Sequence, residues 1–205
     1  MVKKMIVIGI VAMLGSACSS IGKIQMRTDD MTGAKVFTLD LEHTSKERMP
    51  GLLAPRYDCI AKYVRDINPK KGEITEVTLV TKACSTCDDL TDNAVLKIND
   101  KTYEIKFGEK NTEVKSQTDT TKHYHKRSDG YVDYSRPTGS TSETQTWKEL
   151  RGKIVITPEL KKAMIESSAI TYRVYSGTNP VTYVLESDDI SKVKKFLLTD
   201  GSDLK

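Results

Sequence analysis

Period-two alternation of apolar and polar residues is the dominant signal along the chain, and helical spacing is confined to its last quarter. Residues 36–41, Val-Phe-Thr-Leu-Asp-Leu, alternate and predict a first strand. Residues 42–55 are polar and broken by Pro50-Gly51 and Pro55, which predicts a loop. Residues 57–64 fit two periods. As a strand they place Tyr57, Cys59, Ala61 and Tyr63 on one face; as a short helix they pair Ile60 with Val64. Strand is preferred. Residues 68–72, Asn-Pro-Lys-Lys-Gly, have turn chemistry, and 74–81 are rich in β-branched residues and predict the next strand. A loop over 84–93 leads into a hairpin of 94–98 and 102–107 across Asn99-Asp100-Lys101.

The last quarter changes period. Residues 153–156 continue the strand pattern; then Thr157 is placed to cap a helix with Pro158 at its first position. That helix runs to about Ser167, with Leu160 and Met164 on one face. Ile170, Tyr172 and Val174 mark a further strand, residues 177–180 turn the chain, and 181–185 return it. Ser187-Asp188-Asp189 opens a final helix whose Ile190, Val193, Phe196 and Leu197 form one apolar stripe, and Gly201 ends it. Strands outnumber helices and follow one another through short turns. The expected class is mainly β (α+β): an antiparallel β-sandwich or half-barrel, with a short helix near 158–167 and a C-terminal helix near 188–199.

One segment departs from this pattern. Between Glu109 and Gln145 the only aliphatic residues are Val114 and Val132, while Ser and Thr dominate. Thr112, Val114, Ser116, Thr118 and Thr120 alternate, which favours a long hairpin arm with its tip at Ser128-Asp129-Gly130 over a disordered insertion. The domain plan is a leader at 1–17, a stem at 18–34, and one β-rich domain at 35–205 carrying the polar arm at about 109–146.

The leader carries the clearest address. Lys3 and Lys4 precede an apolar stretch from Met5 to Ala17, of secretory length and too short for a membrane span. It ends Leu14-Gly15-Ser16-Ala17-Cys18, which resembles the lipobox of bacterial lipoproteins. The resemblance implies cleavage before Cys18 and a diacylglycerol on its thiol, hence a lipid bilayer as partner. Several acyl chains together give stable anchoring where one chain gives marginal binding. Ser19 is not acidic, which by enteric-type sorting favours the outer over the inner membrane. The motif Asp30-Met31-Thr32-Gly33, with the closing order of elements, resembles small envelope domains of Gram-negative bacteria. That resemblance implies a β-sandwich and no activity.

Composition narrows the function classes. The formal charge of +4 falls to about +2 once Lys3 and Lys4 leave, too little for nucleic acid. Cys59, Cys84 and Cys87 enter an oxidising compartment, so a disulfide is expected. The first expectation is a structural bridge from Cys59 to Cys84 or Cys87, the second a Cys84–Cys87 bridge. Thiol-redox chemistry at Cys84-Ser85-Thr86-Cys87 is opposed by its loop context and by Asp88 and Asp89, which raise a thiol pKa. His123 and His125 share a strand face and are weak metal-ligand candidates that Cys84 and Cys87 would complete. Glu42 and His43 are adjacent and so fall on opposite faces of a strand. No nucleophile elbow, Ser-x-x-Lys catalytic set with its companion motifs or Gly-rich phosphate loop occurs, no enzyme activity is assigned, and no cofactor is implied.

Tyr124, Arg127, Tyr131, Tyr134 and Arg136 combine aromatic area with positive charge, the composition of a contact surface for an envelope protein or glycan. The expected role is a membrane-anchored, non-catalytic binding or scaffold module. The alternative is a thiol-redox or zinc module at Cys59, Cys84 and Cys87.

Overall fold

The computed structural model describes residues 20–126 and 132–200. Among the described residues, ten strands form two antiparallel sheets, accompanied by two helices. The larger sheet is built from β1 (Gln25–Thr28), β2 (Lys35–Arg48), β3 (Arg56–Asn68), β4 (Gly72–Cys84), β7 (Glu109–Lys126) and β8 (Val132–Val155). Its order is β1-β2-β3-β4-β8-β7, and it curls as a half-barrel. The smaller sheet, in the order β10-β9-β5-β6, takes β5 (Asn93–Ile98), β6 (Lys101–Lys106), β9 (Ile170–Ser176) and β10 (Asn179–Val184). The class expected from the alternation is the class observed.

Alternation drives the core. Phe37, Leu39 and Leu41 from β2 meet Tyr63 and Ala61 from β3 and Val77 and Leu79 from β4 on one face of the larger sheet. Tyr172, Val174 and Tyr183 face them from the smaller sheet. Two polar bridges cross this interior: the hydroxyls of Tyr63 and Tyr172 share a hydrogen bond of 3.2 Å, and Tyr183 donates to Thr81 Oγ1 at 3.1 Å. They satisfy groups whose burial unpaired is costly, and they tie the sheets in one relative position.

The helices close the assembly. α1 (Pro158–Ile165) starts at the expected cap: Thr157 Oγ1 accepts the Leu160 N–H. α2 (Ser187–Leu198) buries the four expected side chains, with Phe196 tilted against Tyr63 at 5.9 Å. Its N-cap is Glu186, one residue before the predicted start, and it makes no side-chain cap bond there.

Two local expectations are corrected. The loop read over 42–55 is strand as far as Arg48. Its inward positions are His43 and Ser45, buried but polar, so no hydrophobic alternation marks them. Ser45 accepts the Tyr57 N–H and donates to the Glu47 carbonyl, which holds the bulge between Thr44 and Arg48. Within the segment read as a stem, β1 pairs with β2 although all four of its residues are exposed. The following turn supplies the reason: the Asp29 carboxylate accepts from Met31 N and Thr32 Oγ1, and Gly33 takes φ +69°.

Candidate functional site

β4 pairs with β8 from Glu76–Val155 to Cys84–Trp147 and no further. β7 and β8 continue together to Lys126–Val132. Past Trp147 the two strands are therefore a ribbon without a third neighbour among the described residues. This is the arm, and it is an ordered hairpin along its described length.

Its root is ionic. Arg151 bridges Glu113 (3.1 Å) and Glu149 (2.7 Å), Lys153 meets Glu109 at 2.9 Å, and Lys110 pairs with Asp92. Lys82 lies over the Trp147 ring at 4.7 Å. Farther out the cross-strand contacts become hydroxyl pairs: Thr118 with Thr144 at 2.8 Å and Thr120 with Ser142 at 3.0 Å. The alternation that favoured a hairpin is thus the ladder itself.

At the distal end the register shifts on both sides of Tyr124, so that His123 opposes Gly139, Tyr124 opposes Pro137 and His125 opposes Asp133. Pro137 lacks an N–H for the ladder, and a bulge is where a strand tolerates this. Tyr124 and Tyr134 meet with ring centroids 5.2 Å apart, and Tyr134 is 72% exposed. Of the predicted contact residues, the structure brings these two together. Arg136 lies on β8 within the irregular stretch between Asp133 and Pro137. Arg127 and Tyr131 lie outside the described residues, as do Cys18, Gly201 and the Ser128-Asp129-Gly130 tip. The shifts fall between the positions of the two histidines, and His123 Nε2 is engaged with Thr141 at 2.6 Å. Among the described residues no group of three or more His, Cys, Asp or Glu is placed to hold a metal.

The first-expected disulfide is also corrected. Cys84 and Cys87 are bonded to each other, and Cys59 is a free, buried thiol. Register explains it. Cys59 lies opposite Thr81 and faces the core, and Cys84, three residues beyond Thr81, has the opposite parity. The Cys87 N–H closes a tight turn onto the Cys84 carbonyl at 3.1 Å, which brings the two Cα atoms to 5.1 Å, within bridging range. The turn is pinned from outside: Lys148 donates to the Cys87 carbonyl at 2.7 Å, and Ser176 Oγ donates to the Asp88 carbonyl. Gly177, at φ +58°, leaves room for the Asp88 side chain, which a Cβ would strike at 2.3 Å.

One polar row escaped the sequence reading. His43, Cys59 and Thr81 are in register across β2, β3 and β4, and Asp189 on α2 stands 3.7 Å from His43 Nδ1. Thiol, imidazole and carboxylate in line invite a nucleophile reading. Burial pushes the Cys59 thiol up to about 12, which leaves it un-ionised and unreactive. The buried His43 Nε2 has no partner among the described residues. As expected of neighbours on a strand, Glu42 faces out. No pattern in the sequence pairs residue 43 with residue 189; docking of α2 does.

No known protein family, curated protein or solved structure matches the chain. Function has to be read from its own residues.

His43 gives a testable pH dependence. Burial lowers its pKa below the ordinary 6.5, against the opposing pull of Asp189 and then Glu186, while Lys192 adds to the lowering. The unfolded chain therefore binds the proton more readily than the folded one. Stability contributed by neutral His43 is complete above the ordinary imidazole range and is lost as pH falls below it. Urea unfolding followed from about pH 8 to about pH 5 is expected to show a decline that His43→Gln flattens. Equal slopes for the two proteins would show that His43 does not titrate against the fold.

Proposed function

We propose that the protein is a lipid-anchored envelope lipoprotein that binds or scaffolds, with the β7–β8 arm as its contact surface. The observation that carries this reading is the ribbon past Trp147: two paired strands without a third among the described residues, with the half-buried Tyr124 against the exposed Tyr134 near its far end. An isolated two-stranded ribbon is marginal in water, so a partner laid along it adds what the ribbon lacks. Tyrosine supplies rigid contact area with few rotamers to freeze, and Lys122 beside it supplies positive charge toward an anionic protein or glycan. The leader, with Cys18 after Gly15-Ser16-Ala17, supports the anchor and an outer-membrane location.

The test uses the full chain in its native membrane, with two readouts. Peptide mapping after differential alkylation is expected to find Cys18 acylated, Cys84 and Cys87 modified only after reduction, and Cys59 modified only after denaturation. A photo-crosslinker at Tyr134 is expected to give a discrete adduct that is absent from the exposed control site Leu198. An unmodified Cys18 removes the anchor. No adduct at Tyr134 removes the contact surface. Ready alkylation of Cys84 and Cys87 without reductant, or protection of them by zinc, replaces this reading with the thiol or metal module.

A further inference from the structure

We infer that the β2–β3 loop is a membrane-contact tip that inserts Leu52 and Leu53 into an anionic lipid surface. This goes beyond the lipid anchor proposed above and leans on it only for a first point of attachment.

Leu52 is 98% exposed and Leu53 89%. They are held out by a built loop. The Met49 N–H donates to the Pro55 carbonyl at 2.9 Å, and Arg48 Nη1 donates to the Ala54 carbonyl at 3.1 Å. Pro50 and Pro55 flank the segment, and Met49 is buried beneath it. The leucines therefore project from a convex turn, and ordering it a second time on docking costs little.

The charges beside the tip name the occupant. Arg48 on β2 stands directly opposite Arg56 on β3, and Lys46 is exposed nearby. Like charges directly across an antiparallel pair repel. Among the described residues neither arginine has an ion pair. The acid between Lys46 and Arg48 is turned away: Glu47 accepts the Thr182 N–H of β10 at 2.6 Å. A local rule broken without internal compensation marks a site whose compensation comes from outside. An apolar tip ringed by cations fits a surface that is anionic at its face and apolar beneath, which is a bilayer containing acidic lipids. A protein groove lined with acids is the competing occupant, and the test separates them.

The position suits a second attachment. The described chain begins at Ser20, and Gly22 donates to the Asp40 carbonyl of β2. From that level to the tip is roughly 30 Å at strand rise. An anchor beside Ser20 and a docked tip would hold the chain at two separate points.

The experiment uses the full chain with Trp147→Phe to clear the background and Leu53→Trp as reporter. It is mixed with vesicles of phosphatidylcholine, with or without one quarter phosphatidylglycerol, carrying brominated acyl chains. The expected result is a blue shift and quenching in the anionic vesicles. No quenching is expected for the same reporter at Met31, which is 96% exposed on the β1–β2 turn at the other end of β2. Arg48→Gln and Arg56→Gln should each weaken quenching-detected partitioning about fivefold, the usual worth of one basic residue near an acidic membrane.

An unquenched Leu53→Trp reporter overturns the inference, as does equal quenching at Met31 or indifference to both arginine changes. Flotation of the chain with an unquenched tip leaves the anchor reading intact and removes this one. Quenching that persists in Cys18→Ala keeps this one and leaves the anchor unsupported.

Discussion

Arg65→Ala is expected to lower the unfolding free energy by about 3 kcal/mol and to release the end of α2. Arg65 sits on β3 and is 3% exposed. Its guanidinium lies over the Phe37 ring at 4.7 Å and donates to the carbonyls of Phe196 (2.9 Å), Leu197 (2.5 Å) and Thr199. Phe196 and Leu197 belong to the last turn of α2 and Thr199 is its C-cap residue, so the guanidinium sits at the end where the helix dipole favours a cation. Charge-assisted bonds of this kind are each worth about 1.5 to 3 kcal/mol, but here one buried cation shares its desolvation cost among three.

That desolvation lowers the Arg65 pKa, opposed by Glu73 and Asp200, and the group remains a cation. Arg65→Met keeps the packing on Phe37 without the bonds and should recover about half the loss. Arg65→Lys cannot span three acceptors and should behave more like the alanine. Urea unfolding by circular dichroism reads the total, and hydrogen exchange at residues 193–198 reads the helix end. A loss under about 1 kcal/mol, or unchanged exchange there, would show that α2 is held by its apolar stripe alone.

The second large effect belongs to Gly152→Ala, expected to cost about 2 to 3 kcal/mol through overpacking. Gly152 lies in β8 between Leu79 and Lys110, where an added Cβ would meet the Phe107 ring at 2.4 Å. Phe107 is where the chain leaves β6 of the smaller sheet for β7 of the larger one. Its N–H donates to the Asp92 carbonyl, and the next N–H donates from Gly108 to Lys153, each at 3.0 Å. The backbone is therefore pinned on both sides of the Phe107 side chain, so the ring itself has to move to make room. The clash falls at the root of the arm, so exchange at residues 112–116 should rise along with the loss of stability. Phe107→Leu in the same chain should restore at least half, since a smaller side chain vacates the space. Failure of that rescue would place the damage in the backbone rather than in the ring contact.

Most of the fold was legible because its causes are local. The 94–98 and 102–107 hairpin, the Thr157-Pro158 helix start and the stripe from Ile190 to Leu197 each follow from spacing and cap chemistry within a few residues. The ordered arm was legible too, because Thr–Thr and Thr–Ser pairs leave a period-two trace where apolar residues are missing. The distal half of β2 was not, since its inward residues are polar and are satisfied by groups remote in sequence. The neighbourhood of Tyr124 was not legible: Tyr124 and Tyr134 meet across a double register shift, and no pattern within the strand announces it.

By itself the sequence determined the class, the helix boundaries to within a few residues, the arm and the expectation of an envelope address. All of these are written in periodicity and short motifs. Tertiary structure alone decided the rest. Strand register faced Cys59 inward and left Cys84 to bond with Cys87. The docking of α2 set Asp189 beside His43 and drew three carbonyls onto Arg65. The β2–β3 pairing put Arg48 across from Arg56 beneath two exposed leucines. Each is a contact between elements, and long-range contacts depend on the register and packing of whole strands and helices rather than on the residues that flank them.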